Sequence, residues 1–581
     1  MIKENIAMKK LVNRIITLSV CISLLMNNLS ARAARAGAEN ITEQHYSEIR
    51  ARGVWHRPNS SGRETTLSGL CSVLDELSES GINMVFLETF YHGMTVFKTN
   101  LVPYYSGFEN YDYGEYPDYL TAFTKEAKKR GIEVHAWVES FYLGVNDSTP
   151  LVKYFPDWLL VNESGSINHT TEGAELGGYI FFDPANPDAK AFLLRFYDEL
   201  LTKIPDISGL NLDYIRYPVS DFSSGTDTGY TDIAMSVFAK EHGLSLKDDS
   251  SKRQDFKAQI KESSLLLEWT RFRAEQVTDF VRQVSEMVND KHRESIISVA
   301  VHPDINSAYS QKKQDSITWV DNGYIDVVTP MVYYYSSSQI YSALKEMLAK
   351  FDGVYCYAGL YTTYHSQSTN ELRSHIDASE GGGTDGFVLF ETVKTFFDPS
   401  QDYAAFLRAS YGTANGLSAL PHWSSERLIK ASSDIIVDKL NNEESAIAIK
   451  NEMDRVSLTG EGSAEDMDSM IAAIRELRDS GIPDVIDDEL AQDVRLVLDS
   501  LLCNLEVRRT RLSFKGYIDD SELSGDDENL GDSDQSDEQD NITDSDNNEH
   551  IGNENARCGG FLGFIMYLFT EIKKWFINLF S

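Results

Sequence analysis

The sequence predicts an α/β fold, a (β/α)8 barrel, and three observations carry that expectation. Between Arg52 and Trp423 short apolar runs alternate with segments of helical periodicity, eight times over. The runs are too hydrophobic for half-exposed strands and suit a parallel sheet covered on both faces. Several end abruptly in a carboxylate beside aromatic residues, which is how a barrel presents functional groups at the C-terminal ends of its strands. A doubly wound open sheet is the competing arrangement. No G-x-G-x-x-G follows a strand, so its dinucleotide fingerprint is missing.

The first strand is read at 53–55 and is followed by a helix at 64–80, where Leu67, Leu70, Val73, Leu74 and Leu77 recur at helical spacing before Gly81. A second strand at 82–90 and a helix at 116–130 follow, then a third strand at 132–141. After a long loop, Asp183-Pro184-Ala185-Asn186-Pro187 opens a helix at 188–202. The fourth strand opens the run I-S-G-L-N-L-D-Y-I-R-Y-P, from Ile207 to Pro218. A polar excursion at 220–264 precedes a long helix at 265–289. Strands five to eight are read at 296–301, 325–333, 354–361 and 386–391. Gly381-Gly382-Gly383 precedes the last of these and reads as a turn.

The flanks differ in kind from the barrel, assigned to 45–423. Residues 1–33 read as an export signal: Lys3, Lys9, Lys10 and Arg14, an apolar stretch at 15–26, and Ala31-Arg32-Ala33 as a cleavage site. Val20 before Cys21 makes a poor lipidation motif. Residues 424–515 read as a small helical region, with helices at 428–440, 443–456, 464–478 and 488–511. It is expected to pack on the barrel or to bind a wall polymer. Residues 516–556 hold 15 Asp or Glu and no Lys or Arg, and read as a disordered tether. Residues 557–581 place Phe564, Leu568, Ile572, Trp575 and Phe576 on one helical face opposite Lys573 and Lys574, a helix expected to lie in a membrane interface. The predicted location is therefore outside the cytoplasm, extracellular or at the cell surface, and associated with membrane. A net charge of -37 argues against nucleic acid as partner. Cys71, Cys356, Cys503 and Cys558 are too scattered for a disulfide framework or a zinc site.

At the strand ends the sequence places Glu88, Glu139, Asp213, Asp304 and Glu391, with Trp55, Trp137, Tyr214, Tyr217 and Tyr333 to Tyr335 around them. Tyr104, Tyr105, Phe108, Tyr111 and Tyr113 follow strand two. Carboxylates sharing one cleft repel, so some are expected to hold protons at neutral pH, which supplies an acid and a base. Glycoside hydrolysis needs that pair; a Mg2+ or Ca2+ site is the rival use of such a cluster. His56, His92, His135 and His302 also fall near strand ends and read as hydrogen-bonding residues. H-E-x-x-H and G-x-S-x-G are both absent.

Residues 52–397 resemble the glycosyl-hydrolase-like ten family. The matching pieces are R-G-V-W at Arg52 to Trp55, V-H-A-W at Val134 to Trp137, D-P-A-N-P at Asp183 to Pro187, G-L-N-L-D-Y-I-R-Y-P at Gly209 to Pro218, Gln314-Asp315 with Trp319, and T-P-M-V-Y at Thr329 to Tyr333. The resemblance implies a (β/α)8 barrel acting on glycans, with cell-wall glycan strands as a substrate class. Asp213, Tyr214, Arg216, Trp137 and Tyr333 fall on its motifs; Glu139, where the family often has Asn, and Asp304 and Glu391 depart from it. The leading expectation is an exported glycoside hydrolase with Asp213 as the ionised carboxylate, nucleophile or base, its pKa lowered by Arg216, and Glu139 as general acid, with Glu391 and Glu88 as rivals for that role. Glu88, Trp137, Tyr214, Arg216, Asp304, Tyr333 and Glu391 would bind substrate. No cofactor and no metal ligand is assigned. The alternatives are a glycan-binding surface protein without chemistry, and a metal-dependent deacetylase or phosphodiesterase. Oligomeric state is left open.

Overall fold

A computed structural model describes residues 49–514, apart from 146–148, 363–367, 399, 401, 413–418, 442–443, 484–485 and 487. The export signal at 1–33, the tether at 516–556, the terminal helix at 557–581 and Cys558 lie outside the described residues.

The barrel strands are β1 (Ala51–His56), β2 (Met84–Tyr91), β3 (Glu133–Val138), β4 (Ile207–Leu212), β5 (Ile296–Val301), β6 (Val327–Pro330), β7 (Tyr355–Tyr361) and β8 (Gly386–Phe390). Each pairs in parallel with the next, and β8 pairs in parallel with β1, so the sheet closes. The helices that follow them are α1 (Leu67–Glu79), α2 (Tyr119–Lys129), α3 (Pro187–Lys203), α4 (Leu266–Lys291), α5 (Ser316–Asp321), α6 (Ser337–Leu348), α7 (Thr369–Gly381) and α8 (Tyr403–Tyr411). This is a (β/α)8 barrel. Closure demands tight backbone contact: a Cβ on Gly209 in β4 would sit 2.1 Å from the Ile296 carbonyl oxygen of β5.

Side chains fill the interior. Trp55, Phe86, Trp137, Tyr357 and Val388 pack there with almost no exposure. Trp55 therefore belongs to the core rather than to the mouth. Its Nε1–H donates to Asn211 Oδ1 at 3.1 Å, and Asn211 Nδ2–H donates to Ser298 Oγ at 2.9 Å. The asparagine of the strand-four motif thus ties three strands together across the barrel.

Several boundaries depart from the periodicity for local reasons. Helix α1 starts at Leu67 rather than at 64 because Glu64 is turned inward to His56 Nε2 at 2.9 Å, leaving Thr66 to cap the helix. Strand β3 ends at Val138, before Ser140 takes a left-handed φ of 33°. Strand β6 ends at Pro330, beyond which pairing thins to Met331 N–H donating to Val301 and Val332 N–H donating to Gly359. The excursion after β4 forms helices at Asp232–His242 and Lys252–Glu262, whose apolar residues pack on Trp269 and Phe272 of α4.

The helical region consists of α9 (Ser425–Lys439), α10 (Glu444–Ser457), α11 (Ala464–Ser480) and α12 (Asp488–Phe514). Leu428, Ile436, Met453, Ile474, Leu498 and Leu501 form its own core. It docks on the barrel floor, where the strands begin. Tyr355 OH donates to the Asn504 carbonyl at 3.1 Å, and Arg511 pairs with Asp326 at 3.1 Å. Among the described residues no helix is long and apolar enough to cross a membrane.

Candidate active site

The C-terminal ends of β1, β2, β3, β4 and β8 bring Glu88, Glu139, Asp213 and Glu391 around one arginine, Arg57, which follows β1. Arg57 Nε lies 3.6 Å from Glu88 Oε1 and 3.7 Å from Glu391 Oε2. Its guanidinium also stacks over Trp137 and Phe390, 5.4 and 5.8 Å from the ring centroids. Burial works against that cation, but Glu88, Glu391 and Glu139 outweigh it and hold its pKa above the ordinary value.

The carboxylates differ in what they receive. Glu139 is buried and accepts one backbone N–H, from His92 at 2.8 Å. Burial pushes its pKa well above the carboxylate range, and the charges of Glu88 and Asp213 add to the effect against His92 and Arg57. Burial likewise pushes Glu88 up to about 8, with Arg57 opposing and Glu391 and Asp213 adding. Glu88 Oε1 is buried with no hydrogen-bond partner. Asp213 is better supplied: Oδ2 accepts from Trp137 Nε1–H at 3.1 Å and Oδ1 from its neighbour Tyr214 N–H at 2.7 Å. Burial still raises its pKa, with those two donors, Arg216 and Arg57 opposing.

The backbone here is unusual. His92, Ser140 and Tyr214 have φ of 48°, 33° and 47°, just past the ends of β2, β3 and β4. Left-handed backbone in bulky residues costs of order 1–3 kcal/mol each and clusters where a site fixes side chains. Here the result is specific: His92 aims its N–H at Glu139 and Tyr214 aims its own at Asp213.

Three of the expected roles change. Arg216 was expected to hold Asp213 ionised. Its guanidinium instead makes a two-pronged pair with Glu172, at 2.9 Å on each arm, and Asp213 is shifted up rather than down. Trp137, expected to hold a sugar ring, is 1% exposed; it positions Asp213 instead. Asp304 is not brought into the group. It lies exposed at the start of the helix Ile305–Lys312, where it caps Ser307 N–H at 3.1 Å. Tyr214 stacks on Tyr142 at 4.5 Å, with the Arg216 guanidinium 4.8 Å from its ring centroid. Tyr333 lies beside Tyr361 and Phe390, half-buried at the opening. Of the tyrosines after β2, Tyr105 and Tyr111 line a recess of about 300 Å³ that also includes Arg57, Asn59, Glu88 and Phe108, whereas Tyr113 is buried.

Other motif residues serve the frame. Asp183 accepts from Ala185 N–H at 2.9 Å and Asn186 caps α3. Gln314 Oε1 accepts from His302 N–H at 2.9 Å. Of the histidines near strand ends, His56 is held between Glu64 and Thr392. His135 is a floor residue, hydrogen-bonded to Glu133. Among the described residues, the group of potential metal ligands whose atoms all lie within 4.8 Å of one another is Glu133, His135 and His422.

The profile of a family described as glycosyl hydrolase-like 10 matches residues 50–362. Over 291 residues the chain is 23% identical to the glycosyl hydrolase DigH of Escherichia coli, a match covering 48% of this chain and 60% of that one. It is 22% identical over 209 residues to an S-layer-related protein of Niallia circulans, covering 35% of this chain and 13% of that one. The chain thus matches less than two thirds of the length of these relatives. Among solved structures, it is similar to the catalytic domain of the β-amylase of Paenibacillus polymyxa (TM-score 0.43, 11% identity, 63% of this chain and 98% of that one). It is also similar to the β-galactosidase of the psychrophilic Marinomonas ef1 (TM-score 0.42, 10% identity, 68% and 61%).

Proposed function

The chain belongs to the glycosyl hydrolase-like 10 family, and from that premise we propose that it hydrolyses a glycosidic bond at the mouth of its barrel. One observation carries the reading: buried carboxylates share one cleft and one arginine, and their supply of hydrogen-bond donors is unequal. Glu139, with a single donor and a strongly raised pKa, is the general acid that protonates the leaving oxygen. Asp213, with two donors, is the carboxylate best stabilised as an anion, and it acts as nucleophile or base. The donors replace Arg216 as the reason for that assignment. Glu88 and Glu391, bridged by Arg57, set the charge felt by the pair. The recess between Arg57 and Tyr111 receives part of the sugar chain.

The finer reading is a cell-wall glycan as substrate, with export through residues 1–33 and attachment to a membrane surface through 557–581. The composition of those two segments and the family resemblance support it. The test is product release from denuded peptidoglycan strands by wild type, Glu139→Gln and Asp213→Asn. Loss in both variants supports the assignment. Release by both at the wild-type rate overturns it, and binding without release by wild type identifies a glycan-binding protein.

A further inference from the structure

Far from the mouth, the floor of the barrel gathers a second set of groups. Glu133 begins β3 and His135 follows it on the same interior face. His422 lies just before α9, where the chain leaves the barrel for the helical region. Glu133 Oε1 faces both imidazoles, 3.2 Å from His135 Nε2 and 2.7 Å from His422 Nε2. All three residues are buried. We propose that Glu133, His135 and His422 bind one zinc ion that fastens the helical region to the barrel.

Zinc favours this donor set of two imidazoles and one carboxylate. Bonds of about 2.0–2.1 Å in a four-coordinate site place ligand atoms roughly 3.3 Å apart. The Glu133–His135 separation already meets that spacing, and the Glu133–His422 separation has to open by about half an ångström. The surrounding shell is in place. Glu133 Oε2 accepts from Trp423 Nε1–H at 2.8 Å and from Arg427 at 3.3 Å, which turns Oε1 toward the imidazoles. Tyr357 OH lies 2.7 Å from His422 Nδ1 and orients that ring.

Metal binding requires both Nε2 atoms to be free of hydrogen, so each neutral imidazole carries its proton on Nδ1. At His422 the Nδ1–H then donates to Tyr357 Oη. At His135 the Nε2–H bond to Glu133 gives way to the metal, and the proton moves to Nδ1, which is buried without a partner. Two of the three ligands, Glu133 and His422, line a cavity of about 510 Å³ together with Trp423 and Arg427, which gives an entry path and room for a water ligand. Glu133 and Glu139 stand at opposite ends of β3, about 20 Å apart at the rise of a strand, so the proposal is independent of glycan hydrolysis.

The test uses the full chain, stripped with a chelator and titrated with Zn2+ by calorimetry. Co2+ serves as a visible-absorption probe of four-coordinate geometry. One equivalent is expected to bind, His422→Gln to abolish binding, and Tyr357→Phe to weaken it about tenfold by removing only the partner of a ligand. Failure to bind one equivalent overturns the proposal, and so does binding that Tyr357→Phe leaves unchanged. Tyr357→Phe decides the matter if His422→Gln does not fold.

Discussion

Glu133 and Glu139 flank the same strand, both buried, and sit in opposite states. Burial disfavours the charge on each. At the floor, His422 and His135 on one oxygen of Glu133 reverse that effect and hold its pKa well below the carboxylate range, while Trp423 and Arg427 occupy the other oxygen. At the mouth, Glu139 has one backbone donor and two neighbouring carboxylates, and burial prevails. The number of donors, not depth, decides which carboxylate is an anchor and which carries a proton. The floor spends its polar groups on holding two parts of the chain together. The mouth leaves Glu88 Oε1 without a hydrogen bond and the backbone left-handed, as a site poised for chemistry does.

The sharpest way to break this contrast is to remove charge at each end in turn. Glu139→Gln and Asp213→Asn are expected to lower the hydrolytic rate about 10²–10⁴-fold, the usual range for a lost general acid or base, while thermal melts stay close to wild type. Glu133→Gln is expected to do the reverse. It leaves His422, Trp423 and Arg427 without their anion and costs about 3 kcal/mol in urea unfolding, with activity per folded molecule unchanged.

Glu88 sharpens the contrast through pH. Its pKa is about 8 in the fold against roughly 4.5 in the unfolded chain, so folding favours the protonated form. That stability is present in full below the unfolded value and is lost as pH rises toward the folded one. Urea midpoints of wild type are therefore expected to fall between pH 5 and pH 8 by more than those of Glu88→Gln. The smallest effect belongs to Arg57→Gln. Without its cation the mouth carboxylates bind protons more tightly, and the rate–pH profile is expected to move to higher pH by about one unit.

The barrel was legible because each strand is a dense apolar run and each helix has a clear stripe. What was lost lay at the ends, where a single residue such as Glu64 settles the boundary. Carboxylates were legible too, since an acid at the end of an apolar run stands out. Arg57 directly follows Trp55-His56 at the end of β1, but a lone arginine in a loop carries no pattern that marks it as the partner of distant acids. The Arg216–Glu172 pair was out of reach, because Glu172 lies in a long loop with no period to place it. Proximity in sequence made Arg216 look like the partner of Asp213. The floor was hidden for a related reason: His422 meets Glu133 from 289 positions away, a contact that only the closed barrel and its docked helices create.

The most direct measurement is the proton state of the two glutamates in the folded protein. Infrared difference spectroscopy separates the C=O stretch of a protonated carboxyl from the bands of a carboxylate. A protonated-carboxyl band is expected at pH 7 that Glu139→Gln reduces and Glu133→Gln leaves intact. No such band in the folded wild type, or a band removed by Glu133→Gln and kept by Glu139→Gln, would contradict this assignment of the proton.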